Sequence, residues 1–249
     1  MIKIRAFRAI NNPTACQEYL KGHMQVLIDY NVMKVTSYNQ AWTSNPSVYV
    51  LTAEMEETGV MVGGIRIEIT KGDIPLPIET AIGKLDSRIY KLVEQYGIDG
   101  GVGELCGLWN SKEIKGLGAS FFLTRAAISV INQINFKTLI GICAEYTLEM
   151  FTNVGFEIDH SLGNNGEFPY PDERYITRAL GILNAETLKR ANPFDRDIIL
   201  GLRANPTQTR EEIGSKGPVK INYDLIIENP DTLVYKSKNN YALKEKVCS

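Results

Sequence analysis

The chain has 249 residues, enough for one large domain or a domain with an extension, and its hydrophobic share of 44% is ordinary for a globular protein. Lysine and arginine total 27 against 29 acids, a formal charge of -2, so no global field draws it to nucleic acid or anionic lipid. No apolar run approaches the ~20 residues that span a bilayer, and the alternating start MIKIRAFRAI lacks the apolar core and cleavage site of a secretory signal. A cytoplasmic protein with no membrane or nucleic-acid partner is expected. The cysteines Cys16, Cys106, Cys143 and Cys248 show no metal-ligand spacing with His23 or His160, so no metal is expected, and Cys106 and Cys143 read as small buried hydrophobes.

In chain order, Ile2–Ile10 reads as a strand and Pro13–Tyr30 as a helix with proline near its entrance and a stripe of Tyr19, Met24, Leu27 and Ile28. Residues 33–47 are polar, aromatic and irregular, a loop or short helix anchored by Trp42. Two strands follow, Val48–Met55 and Val60–Ile69. A turn-rich piece, KGDIPLPIET, leads to a helix at Ala81–Tyr96.

The segment from Gly103 to Phe156 is the most informative. GELCGLWN at 103–110 reads as a strand, Lys115-Gly116-Leu117-Gly118-Ala119 as a tight turn and Ser120–Ile134 as a largely apolar helix. Two glycines at a helix entrance let the backbone approach a ligand and aim several N–H groups at it, with the helix dipole behind them. That arrangement suits a pyrophosphate. A dinucleotide fingerprint is ruled out by Phe121 where a third glycine is needed, and the longer Gly-x-x-x-x-Gly-Lys phosphate loop is absent. TLIGICA at 138–144 reads as the next strand, followed by a helix over Glu145–Val154 and then Gly155-Phe156.

Glu113-Ile114-Lys115-Gly116-Leu117-Gly118 resembles motif A of the GNAT N-acyltransferases, Gln/Arg-x-x-Gly-x-Gly/Ala, with an acid in place of the usual Gln or Arg. The short helix ending in Gly155-Phe156 is similar to the family's Tyr-x-x-x-Gly-Phe, with Phe151 at the Tyr position. The run Val62-Gly63-Gly64-Ile65-Arg66-Ile67, the Leu-Pro-Ile-Glu at 76–79 and Glu104 resemble the branch containing acyl-homoserine lactone synthases and N-acyl amino acid synthases, although Gly107 replaces that branch's Arg. The resemblance covers residues 1–183 and implies an α/β GNAT fold: a mixed, mostly antiparallel sheet flanked by helices and splayed between its fourth and fifth strands. Residues 184–249 are expected to form a C-terminal extension with a helix capped by Asn184, a strand from KGPVKINYDLII and a polar tail.

The resemblance also implies the site. An acyl-CoA, most simply acetyl-CoA, would place its pyrophosphate on the amides of Ile114, Lys115, Gly116, Leu117, Gly118, Ala119 and Ser120. Its pantetheine arm would lie along Leu108, Trp109 and Asn110. An amine must be deprotonated to attack a thioester, and Glu104 is the candidate base. A second reading pairs Glu104 with Arg66 as a structural ion pair, and Glu68 is a weaker candidate base. Phe151 cannot donate a proton to the departing thiolate, which leaves Tyr146 as candidate acid. Arg66, Trp42 and Phe168, the last in the aromatic and amide-rich loop 163–171, are the candidate acceptor-binding residues.

Three functions follow. One is an acetyl-CoA-dependent N-acyltransferase acting on a small-molecule amine or amino acid. Another is a longer-chain N-acyl amino acid synthase-like enzyme using acyl-CoA or acyl carrier protein. A third is a GNAT-fold binding module without catalysis, motivated by Phe151 and Glu113. Oligomeric state is left open, a dimer included.

Overall fold

A computed structural model gives the fold and describes residues 1–32, 35 and 39–230. The parts of the 33–47 loop at 33, 34 and 36–38, and the polar tail from 231, lie outside those residues. Ten strands form one sheet: β1 (Ile2–Arg8), β2 (Val48–Met55), β3 (Met61–Thr70), β4 (Val102–Asn110), β5 (Thr138–Ala144), β6 (Glu157–Ile158), β7 (Glu167–Pro169), β8 (Ile176–Ile182), β9 (Thr207–Gly214) and β10 (Gly217–Asp224). The order is β6-β8-β5-β4-β3-β2-β1-β10-β9, with β7 on β8. Pairing is antiparallel except for β4 with β5 and β1 with β10. The helices are α1 (Pro13–Asp29), α2 (Pro77–Ile82), α3 (Arg88–Ile98), α4 (Ala119–Ser129), α5 (Ile131–Ile134), α6 (Leu148–Asn153) and α7 (Pro193–Ala204).

The central strands are buried on both faces, and their alternation divides the core. Tyr49, Leu51, Ile65, Ile67 and Leu105 join Phe122 and Leu123 of α4 in the large cluster. On the opposite face two smaller clusters form. One packs Tyr19 and Leu20 of α1 with Val50, Trp42 and Trp109. The other packs α2 and α3 with Val102, Ile140 and Phe168. The indole of Trp109 occupies the space a Cβ at Gly22 would need, which explains a glycine inside α1.

The chain differs from the sequence expectation at several boundaries. The single helix at 81–96 is two, α2 and α3, because Pro77 opens a separate turn whose first amides are met by Glu79: its carboxylate accepts from the Leu76 N–H (2.7 Å). Asn184 closes a local turn by accepting from the Thr187 N–H (3.1 Å), and the later helix starts after Asn192, whose side chain accepts from the Asp195 N–H (2.8 Å). β9, with sequence TQTREEIG, buries one side chain of eight, so it carried no apolar signal; it is an edge strand. Residues 184–230 therefore add α7 against α4 and the hairpin β9–β10 against β1, in the same sheet.

Candidate functional site

The strands β4 and β5 pair only from Val102 to Glu104 against Thr138 to Ile140, and then diverge. A bulge follows in β4 just past the point of divergence. Between the pairs Arg66↔Cys106 and Gly64↔Trp109, β4 carries one residue more than β3, with Gly107 left-handed at φ 63°. A side chain at 107 would strike the Arg66 guanidinium, and the Gly107 carbonyl accepts from the Tyr19 hydroxyl. The Arg that the branch resemblance places there would not fit.

Where the strands part lies a cavity of about 580 Å³. Its walls include residues 104–110 of β4 and 142–144 of β5, closed by His23, Val26 and Leu27 of α1 and by Tyr146, Tyr170 and Thr177. At one end the cavity reaches Asn110 and Ser120, joined by a hydrogen bond from the Ser120 hydroxyl to Asn110 Oδ1 (2.7 Å). Beyond Asn110 a 3-10 turn, Lys112–Ile114, buries the Ile114 side chain as an anchor, and Leu117 packs partly on the core. Gly116 (φ 84°) and Gly118 (φ 86°) then turn the chain into α4, with Gly118 as N-cap and no side chain capping the first turn. The amides of Lys115 and Leu117 are used inside the loop, bonding Lys112 O (3.2 Å) and Ile114 O (3.0 Å). Those of Gly116 and Gly118 make no backbone hydrogen bond among the described residues. Amides without a backbone partner at the head of a helix are groups to which an anion can bond.

Glu104 and Cys106 line the cavity, and behind them lies a buried polar cluster with Arg66 and Glu68. Arg66, fully buried, pairs through Nε with Glu68 Oε1 (2.7 Å) and lies 4.8 Å from the Trp42 ring. The register sets Glu68, not Arg66, opposite Glu104. Glu104 Oε2 accepts from the Ile78 N–H (2.6 Å) at the start of α2. Burial pushes the Glu104 carboxyl well above the usual carboxylate range, the Ile78 amide opposes this, and the charge on Glu68 adds to it. Cys106 donates weakly to Glu68 Oε1 (3.5 Å), and burial holds its thiol well above the ordinary range.

The other expected residues are dispersed. Tyr146, in a 3-10 turn after β5, stands at the cavity mouth, 88% exposed. Trp42 is buried against Tyr19 (5.4 Å between rings) and Arg66, behind the cavity wall. Phe168 is buried in the α2–α3 cluster, and Tyr170 and Pro171 line the cavity instead. Phe151 packs edge-on against Phe156 at 5.4 Å. His23 was not anticipated. Its signal was the stripe Cys16, Tyr19, Leu20 and His23, all buried; of the expected stripe Tyr19, Met24, Leu27 and Ile28, Tyr19 is buried and the other three are not. Burial, reinforced by the Arg66 charge, lowers its pKa to about 4.

No protein-family model matches the chain, and no curated protein does. Solved structures do. A CoA-dependent acyl-homoserine lactone synthase, BjaI, bound to SAM and isopentyl-CoA, is 12% identical with a TM-score of 0.54, covering 93% of this chain and 96% of its own. The fold is that of the GNAT acyltransferases. FeeM, an N-acyl amino acid synthase from uncultured soil microbes, shares the GNAT fold at 14% identity and TM-score 0.51, over 79% of this chain and 98% of its own. ElaA of Escherichia coli is 8% identical with TM-score 0.52, over 73% and 99%. Within the GNAT fold of this chain, the parallel pair β4–β5 forms the splay expected between the fourth and fifth strands. No helix among the described residues is long and apolar enough to cross a membrane.

Proposed function

We propose that the protein is an N-acyltransferase that moves an acyl group from a pantetheine thioester, most simply CoA, to the amine of a small molecule or amino acid. The observation that carries this reading is a single carboxyl, Glu104, in the wall of a cavity that reaches Ser120 in the first turn of α4, next to the glycine turn. Glu104 takes a proton from the acceptor ammonium, and its raised pKa brings the carboxylate towards the working range of a general base. The neutral nitrogen then attacks the thioester carbon; as the C–S bond breaks the nitrogen gives up its second proton to solvent, and the thiolate takes up a proton, for which Tyr146 at the exposed mouth, reprotonated from solvent, is the candidate donor. On the edge of β4 that the splay leaves without β5, backbone N–H groups in the stretch Leu108, Trp109 and Asn110 would hold the pantetheine arm and the thioester oxygen, while Trp109 and Asn110 stay in register with Gly64 and Gly63 of β3 on the other edge. Arg66 acts behind this site by fixing Glu68, and Trp42 by packing on Arg66.

A longer acyl chain than acetyl is favoured by one feature. A cavity of about 580 Å³ is in the range that encloses a whole small molecule, far more than a two-carbon acyl group fills. Its α1 wall, with Val26 and Leu27, is apolar. The donor of that chain is acyl-CoA or acyl carrier protein, and a cytoplasmic enzyme suits either. The test is amine-dependent release of free thiol across a series from acetyl-CoA to dodecanoyl-CoA, with a mixed pool of amino acids and small amines as acceptors. The reading expects release that depends on amine and rises beyond acetyl. Saturable CoA binding with no release on any amine would turn the protein into a binding module.

A further inference from the structure

The hairpin β9–β10 lies far from the glycine turn in sequence and is seated on it in space. Its tip runs from Gly214 to Gly217. The Ser215 hydroxyl donates to the Gly116 carbonyl (2.8 Å), and the Lys216 N–H donates to the same oxygen (3.2 Å). Two donors on one carbonyl fix the peptide plane between Gly116 and Leu117. A side chain at Gly214 would strike the Leu117 carbonyl, so the two segments meet backbone to backbone. The Lys216 side chain is laid across the turn: a Cβ at Gly116 would come within 2.8 Å of its Cε. Lys216 is exposed and makes no ion pair among the described residues.

A buried network anchors this tip. Arg125 of α4 pairs with Asp195 of α7 and, at 3.2 Å, with Glu212 of β9, whose other oxygen accepts from the Tyr223 hydroxyl of β10 (3.2 Å). The hairpin is therefore tied to the same helix that follows the glycine turn. Within the loop, position 113 carries an acid, Lys112 is engaged with Asp29 (3.1 Å) on α1, and Lys115 is exposed, so Lys216 is a further cation brought to the turn from the hairpin.

We propose that Lys216 is a donor-binding residue, its ammonium neutralising the pantetheine phosphate where Glu113 stands in place of a Gln or Arg. The inference rests on the acyl-donor reading above. The chemistry recognised is a phosphate ester on a pantetheine arm, which CoA carries as its pyrophosphate and a carrier protein as its phosphodiester. A flexible lysine reaches either as a point charge.

Titration calorimetry with CoA, dephospho-CoA and phosphopantetheine tests this on the full chain. Lys216→Gln is expected to weaken CoA and dephospho-CoA about tenfold, the scale of losing one charge-assisted contact at a partly exposed site. Lys216→Arg should restore most of the affinity, and Lys220→Gln on β10 should match the wild type. An equal loss on phosphopantetheine would mark the phosphate shared with carrier protein as the group bound. A loss confined to the two CoA forms would mark the pyrophosphate. Binding by Lys216→Gln within twofold of wild type on every ligand, or a loss on CoA that dephospho-CoA does not show, would overturn the assignment. Wild-type protein that binds none of the three would remove the donor reading itself, and the inference with it.

Discussion

The two ends of the cavity are made of different material. The donor end is backbone: a bulge at Gly107, left-handed glycines at 116 and 118, and the first turn of α4, with a hairpin tip laid on them. The end proposed for the acceptor is side chains: His23 of α1 with Glu104 and Cys106 of β4 in the wall, backed by the Arg66–Glu68 pair of β3. Backbone recognition depends on a few glycines and tolerates many neighbours, whereas the acceptor end is specific to its residues. On the proposed function, the donor end would define the chemistry and the acceptor end would select what receives the acyl group.

The comparison breaks most sharply at Glu104. Glu104→Gln should retain donor binding and lower kcat by about 10²–10⁴-fold, with the acidic limb of the pH–rate profile removed. A variant with near-normal turnover and a lowered Tm would instead make Glu104 a structural carboxyl. The next largest effect concerns the support of the donor end. Asp195→Ala leaves Arg125 buried with only Glu212 and should lower unfolding stability by about 3 kcal/mol, measured in urea. A loss below ~1 kcal/mol would show that the network does not hold the hairpin on α4.

The smallest effect belongs to His23. Its folded pKa of about 4 lies below the ordinary 6.5, so the neutral ring stabilises the fold above pH 6.5 and that contribution is lost as pH falls towards 4. Wild-type protein should lose about 2 kcal/mol between pH 7 and pH 4.5 that His23→Gln does not lose, read from urea midpoints at both pH values. Equal pH slopes in the two proteins would mean the imidazole is not buried at the acceptor end.

This division also decides what the sequence could reveal. β2 and β5 were legible to the residue, and the turn at Gly116 and Gly118 was legible as a turn, because short apolar runs and paired glycines are local signals. Glu104 was legible as a candidate but its partner was not: the register that sets Glu68 opposite it forms only when β3 and β4 pair, and the amide of Ile78 reaches it from an insertion. His23 and Tyr170 became cavity walls only through tertiary packing. β9 was hidden for another reason. An edge strand of alternating polar residues has no core-facing pattern until its one buried acid, Glu212, meets Arg125 across the sequence.

The central claim is that the donor's phosphates sit on the turn from 114 to 119, and the most direct measurement is CoA titration calorimetry on wild type and Gly118→Leu. Gly118 adopts φ 86°, and a Cβ there would come 2.8 Å from the Phe122 ring, so leucine both reshapes the turn and fills it. The account predicts one saturable site in the wild type and a loss of at least ~2 kcal/mol of binding in the variant, measured well below its Tm. Unchanged affinity in Gly118→Leu would contradict it.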